Sequence, residues 1–331
     1  MFAEQTVSQI VASVERLLPD ATPVRPISEL RRGRNHVSWL LDSGLGRLVG
    51  KVALRDQQQV VVDRLLEHRR VWEFGVPVPR LLGFAASSKV LGGRLLVVST
   101  YLPGQDAEQA LRIASASAMV EAIHSTGRAL ARLHQVPVEG FGDPAMGLGA
   151  GPASWGEVVA GRVEILRRAY GTVAEAPAAV VSAGLGLLGP LADGVSAVVC
   201  PAVAHLDVYL PNVLLDEVGR FQVLLDLEHM RRVDPVMDFV KPAMWMLAGR
   251  PTWIEAFADG YQSVGGWPER FAERLAVVTG LELLTGVEYW TRVGDNAMRE
   301  DYLHRLRAWV RSEGADRVWP SPVTSSATRR A

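Results

Sequence analysis

Cysteine occurs once in the 331 residues, at Cys200. A single thiol excludes an internal disulfide framework, so the core must hold the fold, and a reducing cytoplasm is the expected setting. Cys200 lies in an apolar run over residues 198–202 and reads as a small buried packing position. Lysine is nearly as scarce. Lys51, Lys89 and Lys241 are the only ones against many arginines, so each lysine position is more informative than usual. No run approaches the roughly 20 apolar residues of a membrane span, and no membrane association is expected. The net charge is −1, which implies no broad basic face for nucleic acid. The N-terminal stretch lacks a basic leader and places Val7, Ile10, Val11, Val14 and Leu17 at helical intervals, with Pro19 as the stop.

Hydrophobic residues make up 48% of the chain, enough for a sizeable core. The length suggests two domains or one large domain with two lobes. The chemistry-bearing residues concentrate in AHLDVYLPNVLLDEVGRFQVLLDLE, residues 204–228. His205 is followed by Asp207 and Asn212. An apolar strand over residues 213–215, a turn over 216–219 and a second strand over 221–225 then end at Asp226. Such a hairpin brings its two open ends together, so Asp207, Asn212 and Asp226 are expected to converge. Two carboxylates and an amide oxygen form a hard donor set suited to Mg²⁺ rather than zinc. Taken singly, each of these residues reads better as a helix cap or a turn residue.

Upstream, residues 27–54 read as hairpin strands with turns at 31–36 and 42–46, and Lys51 sits in the last strand. A strand lysine behind a turn suits nucleotide phosphates: the ammonium neutralises charge and loop amides donate further hydrogen bonds. Residues 56–74 and 116–134 show helical spacing. Residues 95–100 form a strand that runs into Tyr101. Residues 139–153 read as a loop, and helical patterns return over 154–191 and 251–313.

The spacing His205-x-Asp207-x-x-x-x-Asn212, with Asp226 to follow, resembles the catalytic loop and metal-binding aspartate of kinase-like phosphotransferases. A protein kinase would carry G-x-G-x-x-G in its first loop and a long activation segment with Ala-Pro-Glu. Both are missing, which favours a small acceptor over a protein. Over roughly residues 25–245, with the passage GVPVPRLLGF and the ending ALARLH, the chain is similar to the aminoglycoside phosphotransferase family. It departs at Leu206, where that family often has glycine, and at Leu227, where an aromatic residue is frequent.

The resemblance implies an α+β, two-lobed protein-kinase-like fold, with a small antiparallel-sheet lobe over residues 1–102 and a larger, mainly helical lobe over 103–319. Residues 320–331 are expected to form a disordered tail. The resemblance also implies ATP or GTP as co-substrate. Lys51 would contact its phosphates, braced by Glu67, with Asp63 as runner-up. Gly33, Asn35 and His36 would lie on the phosphate side, and Ser99 and Tyr101 at the adenine hinge. Mg²⁺ would be held by Asn212 and Asp226. Asp207 would accept or orient the proton of an acceptor hydroxyl, while His205 braces the loop. His134 reads as a structural hydrogen-bonding residue.

The acceptor is expected to be an aminoglycoside or another hydroxyl-bearing antibiotic, or alternatively a sugar, homoserine or amino alcohol. A pseudokinase would lack a reason for the intact Lys51, Asp207, Asn212 and Asp226. A hydrolase built on His205, Asp207 and Asp226 would not explain Lys51. The acids Glu255, Asp259, Glu282, Glu288 and Asp295 in the last helices lean toward a cationic acceptor.

Overall fold

A computed structural model describes residues 2–30, 36–54, 58–142, 151–172, 177–315 and 319. The expected loop residues Gly33 and Asn35, and the tail over residues 320–331, fall outside these. The chain divides into two compact units. The first is built from Met1–Ala114 and Pro211–His229; the second from Ser115–Asp143, Leu148–Leu210 and Met230–Ala331. The hairpin after residue 211 therefore belongs to the first unit, whereas the sequence reading put everything beyond residue 102 in the second lobe.

The first unit opens with α1 (Phe2–Leu17) and continues with β1 (Arg25–Glu29), β2 (His36–Asp42), β3 (Leu48–Ala53), α2 (Gln58–Glu73), β4 (Leu81–Ser88) and β5 (Arg94–Thr100). The strands form one antiparallel sheet in the order β1-β2-β3-β5-β4. Strand alternation sorts β3. Leu48, Gly50 and Val52 are buried, while Val49 and Lys51 alternate with them. Ile10 and Val14 of α1 join Val37, Leu41, Leu48, Val52, Leu96 and Val98 in one core. Gly50 suits that contact because a side chain there would crowd Leu41 and Ile10. Burying each large aliphatic side chain contributes about 1.5–3 kcal/mol. A second cluster, Ala53, Leu65, Leu81 and Leu95, ties α2 to the sheet.

The same unit holds a smaller sheet, with β6 (Gln105–Asp106) beside β8 (Val213–Leu215) and β9 (Phe221–Leu224). Gly104 precedes it at φ +149°, where a Cβ would overlap the Leu215 carbonyl. The hairpin turn closes on Asp216, whose Oδ1 accepts the N–H groups of Val218 and Arg220. The short helix α3 (Ala107–Ala110), capped by Asp106, follows β6.

The second unit is mainly helical: α4 (Ala116–His134), α5 (Trp155–Gly171), α6 (Ala178–Val195), α7 (Pro251–Gly265), α8 (Phe271–Val293) and α9 (Asn296–Arg311). Its strands β7 (Ala202–Ala204) and β10 (Arg231–Val233) pair antiparallel. Helices α4 and α7 approach closely at Gly127 and Gly260, where a Cβ would overlap the backbone of the facing helix. Gly280 and Gly286 of α8 similarly receive the Trp309 and Tyr302 rings of α9. Phe239 sits edge-on to Phe257, Tyr261, Trp267 and Phe271, an arrangement favoured by the ring quadrupoles.

Two sequence expectations change here. Cys200 is exposed, in the connection between Val199, which is buried, and β7. The apolar run stops being a packing position where the chain leaves the helical layer. The segment Ala178–Val198, with mean hydropathy 1.5, is also long and apolar enough to cross a membrane by length and composition. Its alanines and glycines raise that average. Val181, Leu185, Leu188 and Ala192 form a one-sided buried stripe, and α6 packs on α8.

Candidate active site

The first unit gathers its charges around Lys51. From β3 its Nζ donates to Asp226 Oδ1 at 2.7 Å and to Glu228 Oε2 at 3.0 Å. Both acids follow β9. Leu225 N–H donates to the Asn212 carbonyl at 2.8 Å, so Asn212 and Asp226 stand at the same end of the hairpin. Asp226 has φ +62°, a left-handed conformation that turns the chain out of the strand. The turn Leu227–His229 then packs on α2, where Arg64 Nη1 donates to the Glu228 carbonyl at 2.7 Å. His36 Nδ1 lies 3.2 Å from Glu228 Oε2.

These contacts set the charge states. Burial acts to lower the Lys51 pKa, but the charges of Asp226 and Glu228 and their hydrogen bonds outweigh it, and the ammonium is held above its ordinary range. Burial pushes His36 below its ordinary value, and the Lys51 charge adds to the effect. The result is a fixed cation with a neutral imidazole nearby.

Glu67 does not brace Lys51 in this structure. It is buried and accepts from Arg70 Nη1 at 2.9 Å, one turn along α2. The carboxylates of the hairpin exit take its place at Lys51. Glu228 was not singled out from the sequence, although it lies two residues beyond Asp226. Ser99 lies in β5, in register with Val49 of β3 and Leu81 of β4. The N–H groups of Thr100 and Tyr101 donate to the carbonyls of Arg80 and Arg47. Leu102 is the next residue of the strand exit.

The donor set fits a hard cation. Asp226 supplies carboxylate oxygens, and the buried Asn212 an amide, at one hairpin end. Among the described residues, no group of three or more His, Cys, Asp or Glu side chains is arranged to hold a metal. Mg²⁺ is commonly held by one or two carboxylates together with phosphate and water oxygens.

Asp207 belongs to the second unit, on the loop after β7. Asp238 organises this loop. Its Oδ2 accepts the His205 N–H at 2.7 Å, and its Oδ1 accepts the Leu206 N–H at 2.5 Å. His134 Nε2 lies 3.0 Å from Asp238 Oδ2, and His134 Nδ1 is 2.8 Å from the Tyr261 hydroxyl. The His205 ring in turn accepts the Asp207 N–H through Nδ1 at 3.2 Å. Leu206 adopts φ +66°, a region that favours glycine. Below this, Asp234 and Arg274 form a buried ion pair at 2.7 Å, and Asp234 also caps the short helix Pro235–Phe239. The Asp207 carboxylate itself receives Lys241 Nζ at 2.6 Å.

The late acids take varied positions. Glu282 accepts the Tyr302 hydroxyl at 3.1 Å, Glu288 pairs with Arg292 at 3.0 Å, and Asp295 caps α9. Glu255 and Asp259 are exposed on α7. Burial, and then the Glu282 charge, push the Tyr302 pKa up, so this phenol remains a donor.

Residues 26–272 match the family model described as the phosphotransferase enzyme family, APH. No curated protein sequence matches the chain. Among solved structures, aminoglycoside phosphotransferase APH(4)-Ia shares 18% identity at a TM-score of 0.68, covering 91% of this chain and 98% of its own. A thermostable mutant of that enzyme, in a ternary complex with AMP-PNP and hygromycin B, shares 16% identity at a TM-score of 0.67, covering 92% and 98%. Macrolide 2′-phosphotransferase type I shares 20% identity at a TM-score of 0.59, covering 91% and 96%. These likenesses show the mixed α+β, protein-kinase-like fold, with an antiparallel-sheet lobe and a helical lobe.

Proposed function

Because the chain belongs to the APH phosphotransferase enzyme family and is a small-molecule kinase, we propose that it transfers the γ-phosphoryl group of ATP to a hydroxyl of an antibiotic, an aminoglycoside foremost. The observation that carries this reading is the Lys51–Asp226 ion pair at 2.7 Å, which joins a strand lysine to the acid that ends the hairpin. The APH(4)-Ia complex with AMP-PNP and hygromycin B supports the choice of nucleotide and acceptor. GTP is the alternative nucleotide. The single cysteine accords with a cytoplasmic setting.

In this reading Lys51 neutralises the nucleotide phosphates, and His36, with Gly33 and Asn35, lines their side. The backbone of residues 99–102 meets the adenine edge. Asn212 and Asp226 would hold Mg²⁺, which when bound supplies positive charge to the transferring phosphate oxygens. The Asp207 carboxylate accepts the proton of the acceptor hydroxyl. The hydroxyl oxygen then forms its bond to the γ-phosphorus as the bond to the β–γ bridging oxygen breaks, and ADP leaves with the bridging oxygen. Little covalent chemistry falls to the protein, so positioning and charge placement supply most of the rate.

A second reading rests on the late acids. Glu282 and Glu288 already have partners within the protein. That favours an acceptor carrying little positive charge, such as a sugar.

The test is mass spectrometry of acceptor panels incubated with the protein, Mg²⁺ and either ATP or GTP. One phosphoryl addition on an antibiotic supports the first reading. Addition only on an uncharged metabolite supports the second. ADP or GDP formation with no acceptor product contradicts both.

A further inference from the structure

Lys241 is one of three lysines in the chain, and the roles above leave it unused. It follows the short helix Pro235–Phe239 and lies three residues after Asp238. One stretch of backbone therefore grips the Asp207 loop twice. Asp238 accepts the N–H groups of His205 and Leu206, and Lys241 donates to the side chain of Asp207 at 2.6 Å. Pro242 begins a π-helical turn directly after Lys241, and Asp234, the cap before the helix, is pinned by Arg274. The lysine backbone is thus fixed on both sides.

We propose that Lys241 is a positioning residue for phosphoryl transfer, orienting the Asp207 carboxylate so that it can take the proton of the acceptor hydroxyl. The inference rests on the reading of Asp207 as the base. An ammonium on one carboxylate oxygen fixes the plane of the group. Asp207, Glu282 and Tyr209 are the titratable groups that face Lys241. Burial opposes the lysine charge, but Glu282 first and Asp207 next outweigh it, and the ammonium stays protonated above its ordinary range. Glu282 has a specific use here. When Asp207 takes up a proton and becomes neutral, Lys241 keeps one anionic partner, held in place by the Tyr302 hydroxyl.

The experiment compares wild type, Lys241→Met, Lys241→Arg and Asp207→Asn with MgATP and the acceptor found in the panel. It reads kcat and both KM values, with thermal unfolding on each protein. Lys241→Met is expected to lower kcat about tenfold to a hundredfold, with both KM values near wild type. Lys241→Arg should recover much of the rate. If Lys241→Met does not fold, Lys241→Gln carries the same comparison. Near-normal kcat in the folded neutral variant, with Asp207→Asn inactive, would overturn the role of Lys241 alone. Full turnover by Asp207→Asn would overturn the base itself, and the inference with it.

Discussion

Leu206 donates its backbone N–H to Asp238 Oδ1 while holding a left-handed conformation at φ +66°. Such a conformation costs a leucine about 1–2 kcal/mol. It persists because the same carboxylate also holds His205 and is backed by His134. The loop that presents Asp207 is therefore set by an acid more than 30 residues downstream, fully buried at its side chain.

Removing that acid should be expensive. Asp238→Ala leaves two backbone N–H groups without their acceptor, and about 3 kcal/mol of stability is expected to be lost. Urea denaturation should show a lower midpoint at an unchanged slope, together with a loss of turnover. Asp238→Asn keeps one acceptor oxygen and should fall between the two proteins.

Leu206 offers a finer test. Leu206→Gly relieves the backbone strain but enlarges the unfolded ensemble, so its stability should stay within about 1 kcal/mol of wild type, with activity preserved. Leu206→Val adds a branched Cβ to the same conformation and should lose more than about 1 kcal/mol. Thermal unfolding of the two variants side by side checks the ordering.

His36 gives the pH dependence. Burial, and then Lys51, hold its folded pKa below the ordinary value of 6.5. As pH falls below about 6.5, the unfolded chain takes up this proton before the folded one does. Stability present above pH 6.5 should therefore be lost as pH falls toward the folded pKa. In His36→Gln the decline in melting temperature between pH 7.5 and 5 should be shallower. An equally steep decline would assign it to other groups.

Helix contact predicts a contrast between two glycines. Gly260→Ala on α7 forces a Cβ into the His124 carbonyl of α4 and should cost about 1–3 kcal/mol. Gly161→Ala on α5 meets nothing within 4 Å and should gain up to about 1 kcal/mol from helix propensity. Denaturation midpoints should move in opposite directions.

Local pattern made much of this legible. The apolar spacing of Val7 to Leu17 marked α1, and the strands around Lys51 and the turn at Asp216 to Gly219 stood out by alternation and turn chemistry. The partner of Lys51 was not legible. Glu67 on α2 and Glu228 beyond the hairpin are both acids, and only the path of the chain after Asp226 decides which meets the ammonium. The two backbone partners of Asp238 were not legible either, because they depend on the left-handed turn at Leu206. Lys241 was signalled by rarity alone, because nothing local links it to an aspartate 34 residues earlier.

Asp207 carries the proton in the chemistry proposed above, so its removal is the most direct test. The measurement is the rate of γ-phosphoryl transfer from ATP to the identified acceptor by wild type and Asp207→Asn, with nucleotide affinity determined on the same samples. Transfer is expected to fall at least about a hundredfold while nucleotide affinity stays unchanged. Transfer at the wild-type rate by folded Asp207→Asn would contradict the assignment.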